Sequence, residues 1–119
     1  MENEIVVNGE TYVKKDQLGE AEPIETKPYV IVRTYSAGVF AGYLEERDGR
    51  DGTMINVRRL WYWDGACSLS QLAKDGTSNP KNCKFAVSIN RIDLTEIIEV
   101  DYCTETARKN IQKVQEWKK

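Results

Sequence analysis

The sequence predicts an α+β domain: a mostly antiparallel small sheet or partly open barrel of about five to seven strands, with a short helix near residues 68–73 and a C-terminal helix. Short runs of β-branched and aromatic residues alternate with Gly-, Asp- and Asn-rich turn signals, which is typical of antiparallel strands. Residues 104–119 instead repeat apolar positions at helical spacing. At 119 residues, the chain is long enough to bury a core without disulfides or metal.

Residues 1–27 are predicted to form a β-hairpin and an exposed connector, separate from a core domain of residues 28–119. Asn8-Gly9 supplies the two residues with positive φ that a type I′ turn requires, and β-branched residues flank it. The connector, residues 14–27, mixes charges of both signs with a glycine and a proline. An isolated hairpin is marginal in water, so we expect it to pack on a sheet or on another subunit.

Residues 28–63 are predicted to form a three-stranded antiparallel meander. The strands cover 28–35, 39–45 and 53–63, and the turns cover 36–38 and 47–52, where two Asp-Gly pairs occur. Gly38 and Gly42 form a G-x-x-x-G pattern, which we interpret as a turn and close backbone packing because it lacks the lysine and spacing of a phosphate loop.

The rest of the chain is predicted to contain two capped helices and two more strands. Ser68 is a candidate N-cap for a helix over 68–73 that Asp75-Gly76 ends, and Thr104 is a candidate N-cap for the C-terminal helix. Strands are predicted over 85–89 and 95–100. The apolar face of the C-terminal helix is predicted to consist of Ala107, Ile111, Val114 and Trp117.

The composition argues against an enzyme. The chain has no histidine, which removes Ser-His and Cys-His pairs, histidine metal sites and the usual general base. Its three cysteines are widely spaced and odd in number, so a zinc site or disulfide framework is not predicted. We therefore predict no catalytic residues, no metal and no cofactor.

The charge distribution bears on partners and location. The net charge of −2 makes nucleic acid an unexpected partner, because such binding needs clustered basic residues. No apolar run is long enough for a membrane span, and the acidic N-terminus does not resemble a signal peptide, so we expect a cytoplasmic protein. Residues 1–27 carry three basic and seven acidic groups, whereas 104–119 carry five basic and two acidic groups. We predict a homo-oligomer whose ends pair across subunits; the alternative is a monomer with its hairpin folded back.

Two of the three tryptophans lie beside two arginines within residues 57–65. Indole rings can stack on flat groups, and guanidinium presents a fixed fork of donors to anions. We therefore predict that Arg58, Arg59, Trp61 and Trp63 contact a ligand. The alternative is a strand of core tryptophans with arginines whose stems cover apolar surface, and the sequence leaves it open.

Further candidate ligand contacts lie outside this segment. Arg33 interrupts an apolar strand, so it either reaches an edge, pairs with a carboxylate or faces a ligand, and Tyr35 lies on the same face of that strand. Ser68 and Thr77 carry hydroxyls at the start of the predicted helix and in the polar loop after it. For that loop a capped turn is the alternative to an anion-binding lid.

Long strings of this sequence resemble a family of small uncharacterised tailed-bacteriophage proteins. They are residues 32–43, 58–66 and 68–73, and the similarity continues to 116–118. The resemblance covers about residues 28–119. It implies a phage origin and a location in the host cytoplasm, and by analogy a role in host interference, but no mechanism.

Two functions are compatible with these observations. In the first, a non-enzymatic phage accessory protein binds or sequesters a small anionic, nucleotide-like ligand such as a host defence signal. In the second, the same Arg/Trp patch binds a host protein as an interaction hot spot. A concave pocket with converging arginines would favour the first, and a flat exposed apolar patch the second.

Overall fold

A computed structural model describes residues 26–119 together with the backbone of two short N-terminal strands. Those strands, β1 (Val6–Val7) and β2 (Glu10–Thr11), pair antiparallel with Val7 opposite Glu10. This pairing agrees with the predicted two-residue turn. The turn itself, the rest of the predicted hairpin and the connector up to residue 25 lie outside the described residues. The proposed division at residue 27 stays a prediction.

The core is a six-stranded antiparallel sheet that stays open. Its order is β6-β5-β4-β3-β8, and β7 pairs with β5 on the same side as β6. With one short helix and a C-terminal helix, this confirms the predicted α+β class and excludes the closed form of the barrel. The strands are β3 (Tyr29–Thr34), β4 (Val39–Asp48), β5 (Asp51–Tyr62), β6 (Lys84–Phe85), β7 (Ile89–Leu94) and β8 (Ile97–Tyr102).

Strong curvature brings the two edges of the sheet together at one corner. β7 and β8 lie at opposite edges, yet only Thr95 and Glu96 separate them in the chain. The β4–β5 hairpin therefore bends over, so that the Ile97 amide donates to the Arg50 carbonyl at 2.9 Å. The space enclosed by the bend holds an interior cluster, formed by Val30, Val32, Phe40, Leu44, Met54, Val57, Leu94 and Ile97.

The two helices cover the other face of the sheet. Here a helix-side cluster joins Tyr29, Ile31, Ala41, Tyr43 and Leu60 to helix residues such as Leu72, Ala107 and Ile111. β3 is thus buried on both faces, which explains its nearly unbroken apolar sequence. Tyr29 and Ile31 lie on its helix side, and Val30 and Val32 on its interior side.

A bulge in β5 changes which side chains share a face. Asn56 has φ of 47°, and Gly42 on β4 lies opposite both Asn56 and Val57, between the pairs Ala41–Arg58 and Tyr43–Ile55. The extra residue shifts the alternation by one. Consequently Ile55 and Arg58 face the helices, whereas Val57 and Arg59 face the interior side. A regular two-residue alternation therefore does not hold along β5.

Several element boundaries also differ from the prediction. β8 begins at Ile97 rather than at residue 95, and the C-terminal helix ends at Lys113, so Val114 and Trp117 of its predicted apolar face lie beyond the helix. The β4–β5 turn contains only Gly49 and Arg50, because both strands extend further than the two Asp-Gly signals indicate.

The predicted strand 85–89 covers only the last residue of β6 and the first residue of β7, with three residues between them that belong to neither strand. β7 itself was not predicted, because Asn90, Arg91 and Asp93 make it polar. Of its six residues, only Ile92 and Leu94 are not exposed.

Both helices begin at their predicted caps. α1 (Leu69–Asp75) has Ser68 as N-cap, whose hydroxyl accepts from the Gln71 amide at 3.1 Å, and it ends at Gly76 with φ of 78°. α2 (Glu105–Lys113) has Thr104 as N-cap, whose hydroxyl accepts from the Ala107 amide at 3.0 Å. Each hydroxyl satisfies an amide that the helix cannot pair internally.

The edge strand β8 carries two carboxylates on one face. Glu99 and Asp101 are two residues apart, and Ile98 forms a bulge between the pairs Arg33–Glu99 and Thr34–Ile97. Burial, followed by the neighbouring Glu99, raises the pKa of Asp101 to about 6. The Asp101 Oδ2 atom has no hydrogen-bond partner among the described residues. Like charges and a bulge both disfavour pairing of this edge with a copy of itself.

We expect Asp101 to make the free energy of unfolding depend on pH. Because its folded-state pKa lies above the usual 3.8, protonation stabilises the fold, and this contribution is lost as pH rises through about 6. Asp101→Asn should therefore be more stable than wild type by about 1–2 kcal/mol at pH 7.5, and by much less at pH 4. Urea unfolding at both pH values measures this. Asp48→Asn, at an exposed site, is the control; an equal effect of Asp101→Asn at both pH values would contradict the assignment.

Candidate functional site

Arg59 lies between two aromatic rings at the end of the interior cluster. It pairs across the strands with Phe40, and its guanidinium carbon is 4.7 Å from the Phe40 ring centroid and 5.6 Å from that of Trp61. Phe40 is buried, Arg59 is half-buried, and 59% of Trp61 is exposed. We call Phe40, Arg59 and Trp61 the Arg59 stack. Cation–π contacts of this kind hold the guanidinium plane in place.

The guanidinium in the Arg59 stack has no partner within the described part of the chain. No described side chain or carbonyl accepts a hydrogen bond from Arg59, and its Nε atom is buried without one. A buried donor without an acceptor costs about 1–3 kcal/mol. Among the described residues, this oriented, unpaired guanidinium beside an exposed indole is therefore suited to receive an anion.

Arg58, by contrast, uses its donors inside the protein. Its side chain is 4% exposed and donates to four main-chain carbonyls at 2.9–3.1 Å. Two of these carbonyls lie at the end of α2, where a cation also interacts favourably with the helix dipole. Burial lowers the pKa of Arg58 from its usual range, and Tyr29 and Glu116 oppose that effect. Arg58 therefore holds α2 and β6 against the sheet, and its donors are not available to a ligand. The four carbonyls that it binds belong to Phe85, Ala86, Ile111 and Val114.

Arg33 and Tyr35 have different surroundings: Arg33 has a carboxylate partner, whereas the Tyr35 side chain is exposed. Arg33 pairs across the strands with Glu99, and their charged atoms are 3.9 Å apart on the surface. This corresponds to the predicted alternative of pairing with a carboxylate. Tyr35 is 78% exposed in the β3–β4 turn, where its amide donates to the Glu96 carbonyl at 2.9 Å. Tyr35 is open to a partner, but nothing in the described geometry joins it to the Arg59 stack.

Three of the predicted ligand contacts, Trp63, Ser68 and Thr77, instead contact other parts of the protein on the helix side of the sheet. Trp63 is half-buried against the helix-side cluster, and Ser68 caps α1. Thr77 is buried, and its hydroxyl donates to the Asp64 carbonyl. Asn110 holds both the amide and the carbonyl of Thr77 at 2.9 Å. These contacts correspond to the alternative of a capped turn rather than to a lid.

The polar loop after α1 is fastened back onto Asp64. The Asp64 carboxylate accepts from the Asn79 and Asn82 side chains at 2.8 and 2.9 Å. These hydrogen bonds, together with one from the Gly65 amide, hold the pKa of Asp64 below its usual range. The side-chain amides of both asparagines thus have a partner in Asp64.

Of the predicted contacts, the structure brings together Arg59 and Trp61, and it adds Phe40, which sequence reasoning missed. The bulge at Asn56 adds one residue to β5, and Glu45 adds one residue to β4. The two shifts in strand register cancel beyond the second bulge. Phe40 therefore lies opposite Arg59, as in a regular hairpin with its turn at Gly49 and Arg50. Counting back from that turn would have identified the pair.

A cleft of about 510 Å³ lies elsewhere, at the β4–β5 turn. Its lining includes four carboxylates and two guanidiniums and none of the predicted ligand contacts, so it is poorly suited to an anion. The four carboxylates that line this cleft are those of Glu46, Asp48, Asp51 and Asp93.

Within the described residues, no three acidic, cysteine or histidine side chains are grouped to hold a metal ion. The three cysteines are free thiols.

The fold and the Arg59 stack define a small curved-sheet α+β protein with an exposed arginine–aromatic surface. Comparison with family models places residues 27–111 in a domain of unknown function, DUF6948. The chain belongs to that family. No curated protein and no solved structure matches it. In the described part of the chain, no helix is both long and apolar enough to cross a membrane.

Proposed function

We propose that this protein is a non-enzymatic binding protein whose Arg59 stack takes a small anionic, nucleotide-like ligand. The observation that carries the proposal is the unpaired guanidinium, oriented by Phe40 and Trp61 with its Nε atom buried and without an acceptor. An anion would bind through the terminal N–H groups of this guanidinium, since the Nε atom itself is buried. The exposed indole of Trp61 would supply a stacking surface for a ring.

Arg59→Ala is expected to weaken ligand binding about 10–100-fold, because a charge-assisted, two-pronged contact contributes about 1.5–3 kcal/mol. The protein should stay folded, since Arg59 forms no hydrogen bond within the described residues. Native mass spectrometry of protein purified from its host cells would show a retained small molecule on wild type, and loss of that molecule in the variant.

Arg91→Ala is the matched control for this experiment. It removes the same charge from the other face of the sheet, where Arg91 pairs with Glu45 at 3.0 Å. It should retain the small molecule as wild type does. Equal retention by folded Arg59→Ala would remove the Arg59 stack from the site.

Binding to a host protein through the same surface is the second candidate. Trp61 is 59% exposed and lies against Arg59, and an exposed aromatic residue beside an arginine is typical of interface hot spots. Purified protein without any retained small molecule, combined with capture of a host protein that Trp61→Ala abolishes, would favour this candidate. Because Trp61 is mostly exposed, that variant is suited to the test.

The phage origin, the host cytoplasm as location and a role in host interference or anti-defence are parts of the same proposal. They rest on the resemblance of residues 28–119 to small tailed-phage proteins. Sequestration of a defence signal requires affinity and abundance rather than turnover, which agrees with a non-enzymatic role. Detection of the protein in host cytosol during infection, and loss of protection against a defence system on Arg59→Ala, would test it.

We also propose that the protein is a homo-oligomer, with a dimer as the expected form. The acidic segment 1–27 and the basic segment 104–119 are complementary in charge, and the connector of residues 14–27 could span up to about 45 Å if extended. Sedimentation equilibrium at micromolar concentration should give a dimer mass that falls with added salt and on deletion of residues 1–27. A monomer mass under all these conditions would defeat the proposal.

A further inference from the structure

We infer that the ligand of the Arg59 stack carries one anionic group, joined by a spacer to a flat ring, as in a nucleoside monophosphate. This inference rests on the proposed function and names its ligand class. It follows from the planar N–H groups of the guanidinium, from the pairing of the other predicted arginines within the protein, and from the position of Trp61.

The Arg59 guanidinium lies against two aromatic rings, with its central carbon 4.7 Å from the Phe40 ring centroid and 5.6 Å from that of Trp61. These rings compete with a ligand ring for stacking on the guanidinium. Its N–H groups, in contrast, lie in one plane and match the two oxygens of a carboxylate or phosphate. The arginine thus recognises the anionic group and not the ring.

Only one such edge is available among the predicted arginines. Arg58 donates to four carbonyls in the interior, and Arg33 faces Glu99. Lys84 lies over the Trp117 ring at 5.5 Å. Among Arg33, Arg58 and Arg59, a second phosphate would therefore find no further unpaired guanidinium. A single anionic group therefore matches the charge that the surface provides.

Trp61 sets the distance between the ring and the anionic group. One side of its indole contacts Arg59, and the side chain is 59% exposed, so a ligand ring would stack on the outer side. The indole then lies between the ligand ring and the guanidinium. The anionic group must pass around the indole edge to reach Arg59, which requires a spacer such as a ribose. A carboxylate bonded directly to the ring would not reach.

Isothermal titration calorimetry with four probes tests the inference: AMP, ADP, adenosine and indole-3-propionate. Wild type should bind AMP at least tenfold more tightly than adenosine, and ADP within about threefold of AMP. Indole-3-propionate also joins a flat ring to one anionic group through a spacer, so it should bind to wild type and bind at least tenfold more weakly to Arg59→Ala. Arg59→Ala should remove the difference between AMP and adenosine, whereas Trp61→Ala should weaken both.

Different failures have different meanings. Tenfold tighter binding of ADP than of AMP would overturn the single-anion inference while leaving the proposed function in place. Equal binding of AMP and adenosine to wild type would overturn the role of Arg59 in anion recognition. If none of the four probes bound to wild type, the inference and the proposed small-molecule function would both be rejected. Arg91→Ala should behave as wild type with every probe.

Discussion

Arg58→Met is expected to lower the free energy of unfolding by about 3–5 kcal/mol. The methionine can fill much of the same volume, but the carbonyls of Phe85, Ala86, Ile111 and Val114 lose their guanidinium donors. The Phe85 and Ile111 carbonyls keep main-chain donors, from the Trp117 and Val114 amides, but within the described residues those of Ala86 and Val114 do not. Each buried carbonyl left without a partner costs about 1–3 kcal/mol. Two of the four lie at the C-terminal end of α2, so that end of the helix should loosen first. Urea unfolding followed by circular dichroism measures the change.

Two further variants separate the hydrogen bonds from the charge. Arg58→Lys keeps the charge but has a single ammonium in place of a fixed fork, so it should be intermediate in stability. Arg33→Met removes an exposed arginine that pairs with Glu99 at 3.9 Å, and should change stability by less than about 1 kcal/mol. A folded Arg58→Met protein within 1 kcal/mol of wild type would show that Arg58 does not fasten α2 to the sheet.

Gly42→Ala is expected to destabilise the protein by about 2–4 kcal/mol. A Cβ atom at residue 42 would lie 2.8 Å from both Cα and Cβ of Val57 on the neighbouring strand. Since one of these atoms is main chain at the centre of the sheet, relief requires the β5 bulge to shift, with loss of ladder hydrogen bonds or of packing in the interior cluster. Thermal unfolding would report the loss as a lowered Tm.

Gly49→Ala is the comparison for this substitution. Gly49 has φ of 63° in the β4–β5 turn, and nothing lies within 4 Å of an added Cβ. Only the strain of the left-handed backbone remains, at about 1 kcal/mol. We therefore expect the glycine inside the strand to tolerate alanine less well than the glycine in the turn. The reverse order of stability would contradict the bulge geometry.

The features that sequence reasoning located correctly are local ones. The caps Ser68 and Thr104, the helix stop at Gly76 and the antiparallel class of the sheet all follow from preferences within a few residues of the chain. Such signals do not depend on what packs against them. Within residues 57–65, where the sequence predicts ligand contacts, Arg59 and Trp61 do lie together, and their role in binding stays a prediction.

The roles of the two neighbouring arginines depend on a non-local feature. Regular alternation already predicts that Arg58 and Arg59 point to opposite faces, but it gives no means to decide which face meets the helices. The Asn56 bulge sets that orientation for the second half of β5, and the bulge needs a residue without a side chain opposite it, which Gly42 provides. A bulge depends on the pairing of two strands, so it cannot be deduced from either strand alone.

The sequence by itself determined the fold class, most of the helix starts and turns, the absence of histidine chemistry and the segment that carries the candidate site. Only the tertiary structure decided that Arg58 is buried on main-chain carbonyls, that Arg33 faces Glu99, and that Arg59 remains unpaired between Phe40 and Trp61. The physical reason is that identical side chains acquire different roles from burial and from available acceptors, and both are set by residues distant in the chain.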